Sequence, residues 1–567
     1  MHLKSLFLAA TLTILITPGT MSAQEVNPNT PIKHVLLISV DGMHAVDYLN
    51  CSQGVASINN GAPYCPNLAA LGATGINYRA ASTSRPSDSF PGLMSIVSGA
   101  TPRTLGVYYD VAYDRSLDAP TTTTGNGVAG GPCTAGAPPT GTTTEYEEGI
   151  DLDKTKVNGG AAGAGLTEGG IASIDPSRLP RDPARGCAPV YPWQFVRTNT
   201  IFGVIHDAGG ATAWSDKHPA YSSVAGRSGP GVLDDFYAPE INSSVVALPG
   251  VQTPTGINCA TVPDPGSDVT AWTNSFQNIQ CYDQLKVNAI LNQIEGKTHD
   301  GKSWKTPTIF GMNFQTVSVG QKLIEKSNST KGGYLDAQAT PSAALLSEIQ
   351  FVDDSVGAFT KALESRGLLS STLIIITAKH GQNPIDPKFY NPILKTGTSP
   401  ATLLDIAGMI PWSESPSNPT GIGPTEDDIS LLWLKPGSDL TLAIGYLEEN
   451  INDAGIGEIF YGPSLALNYN KPGLGAGLDP RTPDIIVQPR TGVVYTGSTS
   501  KQEEHGGFAH DDTNVILLVS NPAFGSAKTV YSDVSTSQVG PSILYALGLN
   551  PALLDGVKQE GTAILPF

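Results

Sequence analysis

Short apolar, β-branched runs recur along the chain and end abruptly in polar residues. They occupy residues 35–40 ahead of Asp41, 373–377 ahead of Lys379 and His380, and 485–487, with 308–314 and 515–519 alike. Runs without internal alternation suit strands buried on both faces of a parallel sheet. Between two of them Leu345, Ile349, Val352, Val356, Phe359 and Leu363 fall alternately four and three apart, one face of a helix that stops at Gly367. Strand, helix and strand in close succession imply a right-handed crossover and an α/β core whose working residues lie at the carboxyl ends of the strands.

Two stretches interrupt that pattern. Residues 117–190 are rich in Gly, Thr and Pro without apolar periodicity, and residues 388–480 carry short elements under many prolines. The first is expected to be a disulfide-held loop insertion and the second a small subdomain beside the site. Residues 1–23 read as an export signal, with Lys4 ahead of the apolar run 6–16 and small residues at Ser22 and Ala23. That run is too short for a membrane anchor, so residues 24–567 are expected as one catalytic domain, secreted or periplasmic, with no stable membrane insertion. Cys51, Cys65, Cys133, Cys187, Cys259 and Cys281 contain no CxxC pair and agree with an oxidising compartment. Pairing of neighbours, 51 with 65, 133 with 187 and 259 with 281, is the simplest of many connectivities.

Composition narrows the partners. The chain has 567 residues, 40% of them hydrophobic, which is ample for a large core. Thirty-three Lys plus Arg against 51 Asp plus Glu give a formal charge of −18, which argues against polymeric nucleic acid as a partner. A small anionic substrate remains open, provided a local cation or metal overcomes the field. The oligomeric state is left open.

Candidate chemistry sits at the ends of the apolar runs. Asp41, at a strand tip and followed by Gly42, is placed to hold a metal in a crevice. In residues 85–99, RPSDSFPGLMSIVSG, Pro91 fits a first helical turn and Gly99 the far end. Ser89 is therefore expected just before a helix N-terminus, where backbone N–H groups favour an alkoxide or a phosphate oxygen. His380 and His505 each precede Gly and are expected to point into the same crevice. Asp, Ser and two His are the residue types of a zinc-assisted hydrolase. In AWSDKHPAY, Trp214, Lys217 and His218 suit a wall that stacks a flat group and reaches an anion.

These segments occur in a telling order: DG, PNLAALGATG, PSDSFPGLMSIVSGATPRTLGV, KHG, EHGGF and VGPSILYALGL. The chain thereby resembles the type I phosphodiesterase and nucleotide pyrophosphatase branch of the alkaline phosphatase superfamily, over residues 34–110, 306–385 and 484–550. The resemblance implies a mixed, mostly parallel central sheet flanked by helices, and attack by Ser or Thr on phosphorus through a covalent phospho-enzyme beside two zinc ions. It makes Asp41, Ser89 and His380 ligands of the nucleophile-side metal, Ser89 also the nucleophile, and His505 a ligand of the other metal. The family's DxxGH falls on VSVGQ, so Val317 and Gln321 stand where ligands are expected, and Lys379 stands where the family has Asp.

Those departures leave too few ligands for two zinc sites and imply at most about one divalent cation per chain, zinc by family habit. The ammonium of Lys379 is expected to neutralise phosphoryl oxygens in place of a metal, and His505 to stabilise charge or deliver a proton. The expected function is an exported hydrolase of phosphate mono- or diesters, its partner a small-molecule phosphate ester or nucleotide. Sulfate or phosphonate ester hydrolysis, a metal-free esterase and a catalytically silent binding protein are the alternatives.

Overall fold

The computed structural model describes residues 31–162, 166–244, 246–261, 272–411 and 425–567, and the segment read as an export signal lies outside them. Eight strands form the central sheet: β1 His34–Val40, β2 Gly75–Tyr78, β3 Ala213–Ser215, β4 Asp235–Tyr237, β5 Ile309–Phe314, β6 Thr372–Thr377, β7 Leu517–Ser520 and β8 Lys528–Val530. Their spatial order is β8-β2-β7-β6-β1-β5-β3-β4. The five strands from β6 to β4 run parallel, β7 is antiparallel to both neighbours, and β2 and β8 pair in parallel. The sheet is mixed and mostly parallel, and helices flank it.

Strand β1 shows why its run is apolar throughout. Val35 and Leu37 join the core on one face, while Leu36, Ile38 and Val40 join the core on the other. The helix Ala343–Ser365 covers the second face with Leu345, Ile349, Val352, Val356, Phe359 and Leu363, all buried. Ser342 caps it by accepting from the Leu345 N–H. Gly367, at φ +67°, turns the chain back toward β6.

Two apolar runs behave differently from the expectation of parallel strands. The run 515–519 supplies the antiparallel strand β7. The run 485–487 lies outside the central sheet: Ile485–Pro489 pairs antiparallel with Ser430–Leu432 and with Ile456–Tyr461. Its faces are covered by separate cores, Ile485 and Val487 in one and Ile486 in another. A continuous apolar run reports burial on both faces, and strand direction is not part of that signal.

The described residues between 117 and 190 form turns, short 3-10 segments and short ladders, among them Thr142–Glu145 against Val111–Asp114. Three disulfides join Cys51 to Cys65, Cys133 to Cys187 and Cys259 to Cys281. No helix among the described residues is long and apolar enough to cross a membrane.

Candidate active site

The carboxyl ends of β1, β3, β5 and β6 converge on the N-terminus of a helix, α1, which spans Ser89–Ser98. Asp88 is its cap, accepting from the Phe90 N–H, so Ser89 is the first helical residue and not the residue before the helix. Two glycines allow the approach. A Cβ on Gly92 would lie 2.2 Å from the Lys379 carbonyl oxygen, so only glycine lets α1 pack against the loop after β6. Gly42, at φ +81°, turns the chain directly after Asp41, and a Cβ there would lie 2.1 Å from Gln321 Oε1.

Ser89 Oγ has three polar neighbours. It lies 3.3 Å from Asp41 Oδ2, 3.2 Å from His380 Nε2, and accepts from Lys217 Nζ at 2.9 Å. His380 Nδ1 donates to the Gly381 carbonyl at 2.9 Å, which leaves the Nε2 lone pair facing the hydroxyl. The His505 ring lies against it, centroids 3.9 Å apart, with its Nδ1 3.7 Å from Asp88 Oδ1. Of these groups Lys217 and His505 line a cleft of about 490 Å³, together with Tyr109, Asp110, Glu148 and Lys322 among others, while Ser89, Asp41 and His380 lie buried next to it.

Burial raises the Asp41 carboxyl, but Lys379, His380 and Lys217 together bring it well below the usual carboxylate range. Burial works against the Lys217 ammonium, and Asp41, Asp110, Asp88 and Asp216 more than offset it, so its pKa is raised. For His380 burial prevails over Asp41, and the imidazole is held below its ordinary value. His505 is lowered further, by burial and by His380. The resting centre is thus an ionised Asp41, a cationic Lys217 and two neutral imidazoles.

Lys379 sits deeper than expected. It is fully buried, donates to Asp216 Oδ1 at 2.8 Å, lies 3.9 Å from Asp41 Oδ2 and points its ammonium at the Tyr221 ring, 4.1 Å from the centroid. The cation that reaches Ser89 is Lys217. Trp214 does not wall the cleft: its side chain is fully buried, gives its Nε1–H to Asp216 and packs edge-on against Phe202. An indole in the middle strand of a three-strand stretch fills the core beneath the site. His218 does reach the cleft wall, with Nδ1 directed at Glu240.

Four participants carry no sequence signal of their own. Asn313 donates to Asp41 Oδ1 at 2.8 Å and Gln315 to Asp41 Oδ2 at 2.6 Å, while Asp216 anchors Lys379 and Asp88 shapes the helix start. The position of Asn313 and Gln315 at the end of the run 308–314 was the available clue.

A pair of metal ions does not fit this donor set. Both Asp41 oxygens already accept from amides, and two ammonium groups lie within 4 Å of Oδ2, at 3.8 and 3.9 Å. At the other family position Val317 is buried in the apolar core, and Gln321 donates to the Gly42 carbonyl and the Tyr334 hydroxyl. Among the described residues the His, Asp and Glu grouping with the spacing of a cation site is Glu147, Glu148 and His218, away from Ser89.

Residues 35–151 and 332–511, just over half the chain, match the family model for type I phosphodiesterase / nucleotide pyrophosphatase. No match is found among curated proteins. Among solved structures, murine ectonucleotide pyrophosphatase / phosphodiesterase 5 aligns with a TM-score of 0.51 at 13% identity, covering 91% of this chain and 96% of that one. An inactive form of the murine protein in complex with AMP aligns with 0.51 at 12%, covering 92% and 96%. The human protein aligns with 0.50 at 13%, covering 91% and 95%. At such identities the likeness shows a shared fold.

Proposed function

The chain belongs to the type I phosphodiesterase / nucleotide pyrophosphatase family and is by that membership a phosphoric ester hydrolase, and from this premise we propose that it is an exported enzyme that cleaves phosphate mono- or diesters of nucleotide type with Ser89 as nucleophile. The observation that carries the proposal is the triple contact at Ser89 Oγ: a neutral imidazole at 3.2 Å to take its proton, an ammonium at 2.9 Å to hold the alkoxide, and a helix N-terminus beneath it.

His380 Nε2 removes the hydroxyl proton, Oγ forms the bond to phosphorus, and the ester oxygen leaves with the electron pair of the broken P–O bond. Lys217 stabilises the developing charge where the family uses a cation. Lys379 is a positioning residue: it holds Asp216 and Asp41 in place by charge, and Asp41 with Asn313 and Gln315 fixes the floor. His505 serves the leaving-group side, supported by its place on the cleft and the absence of a partner for Nδ1 among the described residues. Water then hydrolyses the phosphoserine. The AMP held by the inactive murine relative supports a nucleotide as the substrate class. The three disulfides and the apolar run at 6–16 support export.

No more than about one divalent cation per chain belongs to this proposal, and none between Asp41, Ser89 and His380, whose lone pairs are met by amides and lysines. The substitutions at 317, 321 and 379 favour a second possibility, a silent binding protein on the same fold. Turnover of chromogenic phosphate mono- and diesters by the purified chain, with and without excess chelator, separates the two: hydrolysis that is abolished in Ser89→Ala supports the enzyme, and nucleotide binding without turnover in either condition supports the binder.

A further inference from the structure

Among the described residues that line the cleft are Lys217, Lys322, Lys395 and Lys501, and three of these lysines are engaged. Lys217 donates to Ser89 Oγ, Lys395 lies 4.0 Å from Asp427 Oδ1, and Lys501 is paired with Glu504. Lys322 is partly buried, and its ammonium has no hydrogen bond or ion pair among the described residues. Burial pushes its pKa below the usual lysine value, and Glu504, which opposes that, is already held by Lys501. An ammonium kept partly out of water without a partner is costly unless a ligand brings the countercharge.

The helix that carries Lys322 fixes where that countercharge lies. Thr316–Lys322 follows Gln315, whose amide donates to Asp41 Oδ2. Gln315, Val319 and Lys322 all line the cleft at intervals of four and three, so one face of the helix runs along it. Seven residues of helix put Lys322 about 10 Å along that face from Gln315. Side chains of a helix lean toward its N-terminus, and here that is the Ser89 end. Lys217 thus stands at the attacked phosphorus, and Lys322 farther along the cleft. An in-line attack from the buried Ser89 drives the leaving group out into that cleft.

We propose that Lys322 is a specificity-determining residue that binds the leaving group, and that this group is itself a phosphate. The preferred substrate is then a phosphoanhydride in place of an ester with an uncharged leaving group. Ser89 Oγ gives its proton to His380 and forms the bond to one phosphorus. The bond from that phosphorus to the bridging oxygen breaks, the electron pair stays with the departing phosphate, and Lys322 offsets the charge it gains. The proposal rests on the reading of this cleft as the active site, and its test keeps Lys322 separate from the identity of the nucleophile.

The full chain is assayed on a nucleoside triphosphate and on a nucleoside 5′-phosphate nitrophenyl ester, whose leaving group carries no ionised group in the substrate. Lys322→Met is expected to lower kcat/KM for the triphosphate by ~10²–10³-fold and for the nitrophenyl ester by less than ~3-fold, and Lys322→Arg to restore much of the loss. Circular dichroism checks each fold. Equal losses on the two substrates, or none on either, overturn the proposal. Calorimetry with inorganic pyrophosphate and with inorganic phosphate, in the Ser89→Ala background, needs no turnover. There Lys322→Met is expected to weaken pyrophosphate at least ~10-fold and phosphate by less than ~2-fold. Pyrophosphate affinity that does not depend on Lys322 overturns the proposal whatever attacks phosphorus, whereas turnover that survives Ser89→Ala overturns the nucleophile alone.

Discussion

The two sides of the cleft treat buried charge in opposite ways. On the Ser89 side the two carboxylates that face the lysines are met by cations and amides: Asp41 has Asn313, Gln315, Lys217 and Lys379, and Asp216 has Lys379 and the Trp214 N–H, while Asp88 at the helix start keeps one oxygen without a partner among the described residues. On the far side Glu145, Glu147, Asp151 and Glu240 crowd together, and burial with mutual repulsion pushes their carboxyls up, Glu145 to about 7. The difference shows that around Asp41 the chain's own lysines and amides supply the charge balance, and that the crowded carboxylates lie elsewhere.

Removing the proposed nucleophile tests the balanced side most severely. Ser89→Ala is expected to lower turnover of a chromogenic phosphodiester by ~10⁴-fold or more, since the covalent step is lost altogether. The fold, followed by near-UV circular dichroism, is expected to survive. Near-parental turnover would remove Ser89 from the mechanism and make Ser87 the next candidate.

Lys379→Met turns the balanced side into a copy of the unbalanced one. It strips Asp216 of its 2.8 Å partner in a fully buried setting. Breaking such a pair from one side costs ~3–5 kcal/mol, and chemical denaturation is expected to show it together with reduced turnover. A variant as stable and as active as the parent would make Lys379 a bystander. Lys217→Met is expected to cost ~10²–10³-fold in turnover, the loss from deleting one stabilising donor at a developing charge, and less stability than Lys379→Met because Asp41 keeps Asn313, Gln315 and Lys379. An intact rate in that variant would transfer the role of cation to another group.

Much of this centre was legible in the sequence because its parts lie at strand ends and beside glycines. Asp41 before Gly42, Ser89 near a helix start and His380 before Gly381 are local signals, and the structure brings all three to one point. What was not legible depends on depth. Lys217 and Lys379 both looked like cations for the crevice, but only the packing of β3 beside β5 decides that Lys217 reaches Ser89 while Lys379 stops at Asp216. Trp214 looked like a stacking wall because an aromatic beside Lys and His reads alike whether it faces substrate or core. The direction of the strand Ile485–Pro489 was hidden for a related reason, since burial on both faces leaves the same apolar run in either orientation.

The unbalanced side yields a smaller effect of opposite sign. In Asp151→Asn the shape is kept, and a carboxyl pushed up by burial and by Glu240, with which it shares a hydrogen bond, is replaced by an amide that can donate to the same oxygen. A carboxyl whose pKa is raised on folding costs stability at neutral pH because it must take up a proton, so the neutral amide is expected to leave the variant as stable as the parent or more so by about 1 kcal/mol. A loss of several kcal/mol would show that Asp151 is already compensated and that the two sides do not differ as described.

The smallest expected effect is that of mild acid on turnover, and its sign follows from His380. The imidazole must be neutral to take the Ser89 proton. Burial lowers its pKa below the ordinary 6.5, with Lys217 acting in the same direction and Asp41 opposing. A group whose folded pKa is lowered stays neutral down to that lowered value, so kcat/KM is expected to change less than about twofold between pH 8 and 6.5 and to fall tenfold per unit only at lower pH. Asp41 does not disturb this window, because its carboxyl is held well below the carboxylate range and the stability it contributes is lost only as pH falls toward that range. Lys217→Met removes one of the groups that depress His380, so its residual activity is expected to show the acid limb at higher pH than the parent. A parental limb centred above pH 7, or a limb unmoved in Lys217→Met, would mean that His380 does not feel the lysine beside Ser89, and the balance drawn between lysine and imidazole at the nucleophile would fail with it.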